Sequence, residues 1–190
     1  SCHLKFGEAE AILAGDALQM LAIEVIATAM YLSDRQKLKL IRLLTNAAGA
    51  NGMVGGQSLD IHAEGKLLSL EKLQEIHQLK TGKLIEASIM MPVILTENPA
   101  QLGLKKLANL LGIAYQIQDD LLDIESDTAI LGKESGIDNK LLKCTYPKLM
   151  GLAESKQHLL IIKQEIQHIL ATQNLLDTKL GYLIEYIFDR

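Results

Sequence analysis

No stretch of the 190 residues sustains the apolar/polar alternation that a half-buried strand requires, and only three valines occur, Val25, Val54 and Val93, against many Leu, Ile and Ala. An all-α fold is therefore expected. Apolar residues recur at helical spacing in blocks over 6–31, 35–63, 70–94, 100–125, 145–171 and 174–188, lengths that suit a bundle of long antiparallel helices. Local signals mark several starts: Ser33 with Asp34 caps the second block, Ser69 with Glu71 and Lys72 opens the third, and Pro99 stands at the fourth. With no repeat, low-complexity tract or Gly/Ser/Pro-rich linker, residues 1–190 read as a single domain.

The net charge of −4 gives no general attraction to nucleic acid or anionic lipid, so any anion binding must rest on local cations. Cys2 and Cys144 are too far apart in sequence to suggest a disulfide framework or a metal-ligand spacing, and reduced thiols in a cytoplasmic protein are expected. No apolar run approaches the roughly 20 residues that a membrane span needs, and "SCHLKFGEAE" lacks the regions of a signal peptide. The chain runs from Ser1 at once into helix-like sequence, which suggests that Ser1 is not the natural first residue.

Two segments run against helical economy. "GANGMVGGQSLDI" places four glycines in the second block, each costing about 1 kcal/mol relative to Ala in a helix. The compensation expected is close approach of a neighbouring helix or a kink. "YQIQDDLLDIESD" sets Asp119, Asp120, Asp123, Glu125 and Asp127 among apolar residues. On a helix Gln116, Asp119, Asp120 and Asp123 share one side, Glu125 lies off it, and Asp127 is expected to begin a loop. Like charges so placed repel, and partial burial raises the cost. A divalent cation removes it, and Mg²⁺ suits carboxylates that share their ion with phosphate oxygens and water. The following "SDTAILGKESGIDNKLLKCTYP" has breaks, mixed charge and no steady period, and reads as a mobile loop over a site.

Four ordered stretches now carry a resemblance: "FGEAEAILAGDALQMLA", "GMVGGQSLDIHAEGK", "KTGKLIEAS" and "YQIQDDLLDIESDTAILGKESGIDNKLLKCTYPKLMGL". Together they resemble the C-terminal two-thirds of the short-chain trans-isoprenyl diphosphate synthases, most of all the bacterial farnesyl-forming members, over nearly the whole chain. The resemblance implies a transferase that condenses isopentenyl diphosphate with an allylic diphosphate (dimethylallyl or geranyl) in an all-helical, usually homodimeric fold. It implies Mg²⁺ held by two facing aspartate-rich motifs, of which Asp119, Asp120 and Asp123 are the second. Asp119 is expected as a direct ligand, with Asp120 and Asp123 acting through metal-bound water. Lys80 and Lys133 match positions that hold diphosphate, Thr81 and Gln116 match positions beside the allylic cation, and Lys143 matches the block that closes the loop on diphosphate. Gln57 and Asp60, three apart on one helical face, match the family as supporting polar groups. Lys83 is expected to decorate a helix surface, and His62, His77, His158 and His168 are expected on the surface or in helix packing.

The family's first aspartate-rich motif and its basic isopentenyl-diphosphate site belong ahead of "CHLKFGEA" and are not among these residues; every other Asp is isolated. The 190 residues are accordingly expected to be inactive alone and to expose apolar surface, and product length, set near the first motif, is not legible here. A class I terpene cyclase fits less well, because that class places Ser or Thr and then Glu behind an Asn or Asp, whereas here the third ligand position is Asp123 and no Glu follows at that spacing. A non-catalytic helical partner or scaffold of the same fold is the other reading; it leaves the retained Asp119, Asp120, Asp123, Lys80 and Lys133 without a purpose.

Overall fold

The computed structural model describes residues 2–96, 101–130 and 143–189, all helix and turn among those residues. In order they form α1 (Cys2–Phe6), α2 (Glu8–Thr28), α3 (Asp34–Ala48), α4 (Met53–Ala63), α5 (Leu70–His77), a π-helical turn (Gln78–Gly82), α6 (Lys83–Thr96), α7 (Gln101–Ile130), α8 (Tyr146–Met150), α9 (Leu152–Thr172) and α10 (Lys179–Phe188). The backbone clusters into two compact units, residues 1–45 and 46–190.

In the first unit α1 meets α2 at Gly7, whose φ of 95° only glycine adopts cheaply. α2 is apolar on every side and buries none of its residues, so Leu13, Leu18, Met20 and Val25 lie open. Asp16 and Glu24 interrupt the apolar run, yet the 21-residue helix is by length and mean hydropathy of 1.6 apolar enough to cross a bilayer. A helix apolar all round is one that some surface covers. α3 opens on a reciprocal cap: the Gln36 amide donates to Ser33 Oγ at 3.3 Å, and the Ser33 amide donates to Gln36 Oε1 at 3.0 Å.

The second unit is organised on α7. Leu104, Leu107, Ala108, Leu111, Ala114, Ile117 and Leu121 repeat every three or four residues and form its buried stripe. α6 and α9 pack on α7, and α9 contributes Ile162, Ile166, Ile169 and Leu170 to the core. Each such side chain, fully buried, stabilises by about 1.5–3 kcal/mol. α5 is capped as expected, Ser69 Oγ accepting from the Lys72 amide at 3.3 Å, whereas Pro99 lies outside the described residues.

Three boundaries differ from the sequence reading. The second block divides, because α3 stops at Ala48 and α4 restarts at Met53 after the turn Gly49–Gly52, where the glycines no longer pay a helical penalty. The third block is interrupted by the π turn, which periodicity of 3.6 cannot reveal. α7 continues through Asp127 to Ile130, so Asp127 is helical and does not begin the loop; residues 131–142, including Lys133, lie outside the described residues.

Candidate active site

The π turn carries Lys80 and Thr81, and it is held from two sides by glycines. A Cβ on Gly56 of α4 would stand 2.2 Å from the Lys80 amide nitrogen, and one on Gly112 of α7 would stand 2.8 Å from Gly82 Cα. No side chain fits at either crossing, so α4, the turn and α7 approach at backbone distance. The close approach expected of the glycine-rich segment is thus found at Gly56. Gln78 Nε2 adds a hydrogen bond to Asn109 Oδ1 of α7 at 3.0 Å. The extra residue of a π turn shifts the helical face, and here Lys80 and Thr81 turn toward a cavity of about 510 Å³ whose other walls include Met53, Gln57, Ser58 and Ile61 of α4.

Lys80 is ion-paired there with Asp60, Nζ to Oδ2 2.5 Å, both side chains largely withdrawn from water. Asp60 is the direct partner of the cation, and Gln57, three residues earlier on α4, lines the same cavity as Lys80. Lys83 is instead paired with Glu86 at 2.9 Å within its own helix, the structural role expected of it.

Along α7 the polar stripe is graded. Gln116 is buried, Asp120 is part-buried, and Asp119 and Asp123 are exposed. Burial pushes the Asp120 carboxyl up to about 6, opposed by the hydrogen bond from the Tyr146 amide and by Lys143, and reinforced by the charges of Asp119 and Asp123. The amide donates to Asp120 Oδ2 at 2.9 Å. Lys143 is exposed, and its field reaches both Asp120 and His77. His77 is buried at the end of α5, where desolvation pushes its imidazole down to about 4 against the attraction of Asp60, with Lys80 and Lys143 pushing the same way as burial. Helix packing is its role, as expected. Electrostatics thereby tie Asp60, Lys80, His77, Lys143 and the three aspartates into one neighbourhood.

Among the described residues no three His, Cys, Asp or Glu side chains converge to hold a metal alone. Mg²⁺ does not need that: one or two carboxylates suffice when phosphate oxygens and water complete the shell, and the donors on α7 are hard carboxylate oxygens. The residues present fit the ion that the sequence suggests.

A family model described as polyprenyl synthetase matches residues 1–185. The chain belongs to the polyprenyl synthetase family. It is 42% identical to the farnesyl diphosphate synthase of Escherichia coli (strain K12), across 100% of this chain and 66% of that protein. It is 47% identical to the farnesyl diphosphate synthase of Haemophilus influenzae, across 83% of this chain and 55% of that one. Among solved structures, a geranyltransferase from Helicobacter pylori complexed with magnesium and isoprenyl diphosphate superposes with a TM-score of 0.84 at 29% identity, covering all of this chain and 64% of its own. The chain thus spans less than two-thirds of each of these polyprenyl synthetase relatives.

One residue of this neighbourhood escaped the sequence reading and another was read only in part. Asp60 stood only as a supporting partner, and Tyr146 carried no signal beyond its place in "LKCTYP", because what matters about it is a backbone donor met across 26 residues of sequence.

Proposed function

We propose that this chain forms the diphosphate-leaving half of a Mg²⁺-dependent prenyltransferase that joins isopentenyl diphosphate to dimethylallyl or geranyl diphosphate, giving farnesyl diphosphate. The observation that carries the reading is the clamping of the Lys80–Thr81 turn against α4 and α7 by Gly56, Gly82 and Gly112. It binds a cation-bearing turn at backbone distance to the helix that carries Asp119, Asp120 and Asp123.

In this reading Lys80, with Lys143 and Lys133, takes up the charge of the diphosphate; a lysine suits a multi-oxygen anion as a compact, mobile point charge. As the allylic C–O bond breaks, the electron pair leaves with the diphosphate and positive charge develops on carbon. The oxygens of Thr81 and Gln116 favour that charge where water is excluded. The isopentenyl double bond then attacks that carbon, and loss of a proton to the released diphosphate restores a neutral alkene. Asp119 would hold Mg²⁺ directly, with Asp120 and Asp123 supporting it through water, and the bound ion would supply charge neutralisation on the leaving group. Asp60 holds Lys80 in place until diphosphate competes for it. We also assign the chain to the cytoplasm and to a homodimer, which the apolar faces of its helices can supply.

Calorimetry of Mg²⁺ with inorganic diphosphate tests the site directly. Binding should be present in the unsubstituted chain and lost on the order of 10- to 100-fold in Asp119→Ala; equal binding would remove Asp119 from the site. Since no other aspartate-rich motif stands among the 190 residues, these residues alone should bind without turnover. Farnesyl diphosphate formed by them from both diphosphates and Mg²⁺ would overturn that expectation.

A further inference from the structure

Tyr146 is wholly buried, yet its hydroxyl makes no full hydrogen bond; Gln74 is the polar side chain that bears on it. The ring packs against His77 with centroids 5.6 Å apart and planes tilted by 42°. His77 Nδ1 is itself buried without a hydrogen-bond partner. The contact between these two residues is therefore one of shape, ring against ring. Meanwhile the Tyr146 amide, at the start of α8 where no earlier helical carbonyl stands opposite, donates to Asp120 Oδ2 at 2.9 Å. A backbone donor can be placed only by fixing the chain on which it sits. Pro147 stiffens one side of that chain, and the buried ring anchors it.

We infer that Tyr146 is a positioning residue for the aspartate motif: its ring, wedged against His77, holds the amide that fixes the Asp120 carboxylate. The inference rests on the functional reading above and adds a part to it. With Oδ2 committed to the amide, Asp120 has one oxygen to offer an ion or its water, and its rotamer is set before any ligand arrives. The same wedge links α5, which leads directly into the Lys80 turn, to α7, which carries the aspartates. Cation and carboxylates are thus registered against each other through one aromatic side chain. Tyrosine is not required for this; a ring is.

The test is calorimetric titration of the full chain with Mg²⁺ in the presence of inorganic diphosphate. Tyr146→Phe keeps ring and amide and should bind within about twofold of the unsubstituted chain. Tyr146→Ala removes the anchor and should weaken Mg²⁺ binding on the order of 10-fold, the usual scale for groups that orient a ligand. In an Asp120→Ala background the same substitution should change nothing further, since Tyr146 acts through that carboxylate. If Tyr146→Ala does not fold, Tyr146→Leu, which fills most of the space without the flat ring, takes its place with the same expectation. A folded Tyr146→Ala or Tyr146→Leu that binds Mg²⁺ as the unsubstituted chain does would overturn the inference, as would equal weakening with Asp120 absent. Loss of Mg²⁺–diphosphate binding from the unsubstituted chain itself would overturn the functional reading together with it.

Discussion

Acid should act on this fold through two neighbouring groups that oppose each other. His77 titrates near 6.5 when unfolded and is pushed down to about 4 by burial. Between those values the unfolded chain binds a proton that the folded chain does not, so stability rises with pH across that window and is lost as pH falls toward 4. The full difference is about 3 kcal/mol, of which about 2 kcal/mol is lost between pH 7 and pH 5. Asp120 runs the other way. Its carboxyl is raised from 3.8 to about 6, so the folded chain holds a proton that the unfolded chain has released; its contribution is a penalty at neutral pH that is relieved as pH falls through 6, also by about 3 kcal/mol in full. Asp60, Lys80 and Lys143 face His77, while Lys143, Asp119, Asp123 and the Tyr146 amide face Asp120, and these shape the two values without reversing either direction. The unsubstituted chain should therefore show a flatter acid limb between pH 4 and 6 than either group alone would give. His77→Phe, which preserves a flat ring against Tyr146, should gain stability relative to the unsubstituted chain by about 2 kcal/mol on going from pH 7 to pH 5. Asp120→Asn should lose relative stability over the same interval. Urea unfolding at a series of pH values measures both differences. Parallel pH profiles for the unsubstituted chain and His77→Phe would refute a buried neutral imidazole.

Gly56→Ala places a methyl 2.2 Å from the Lys80 amide nitrogen, a backbone atom that cannot swing away. The clash should cost about 1–3 kcal/mol, exceeding the roughly 1 kcal/mol gained in helix propensity, and should weaken diphosphate binding, read by urea unfolding and calorimetry respectively. Ser69→Ala removes the α5 cap and should cost about 1 kcal/mol in urea while leaving diphosphate binding unchanged. The contrast separates general loss of stability from displacement of the Lys80 turn.

What the sequence makes legible is what local chemistry decides. Helices follow from leucine and isoleucine at 3.6-residue spacing, and two starts follow from Ser33 and Ser69, whose hydroxyls find donors within three residues. The aspartates were legible for a related reason, since repulsion among Asp119, Asp120 and Asp123 is a property of one helical turn or so. The π turn was not, because a single extra residue leaves hydrophobic periodicity almost untouched while it rotates Lys80 and Thr81 by a large part of a turn. Nor was the split at Gly49–Gly52, because glycine signals a break and a close approach with the same letter. Gly52 stands in the break and Gly56 in the approach, four residues apart.

The aspartate stripe shows most clearly where local reading stops. Helical geometry makes Asp119, Asp120 and Asp123 equivalents on one face, but the structure separates them through a contact that begins 26 residues away. Asp120 alone is drawn inward, desolvated and given a backbone donor, whereas Asp119 and Asp123 remain open to water. Exposed carboxylates keep their hydration, while desolvation makes the charged form of the part-buried one costlier. Below about pH 6 a cation entering this face would therefore meet two exposed carboxylates and a third whose proton it must displace. Arrival of the ion and loss of the Asp120 proton are then coupled, so ion binding should release protons near pH 6 and tighten as pH rises through it. A stripe of three like letters thus resolves into two water-exposed carboxylates and a third that is part-buried and held by a backbone donor.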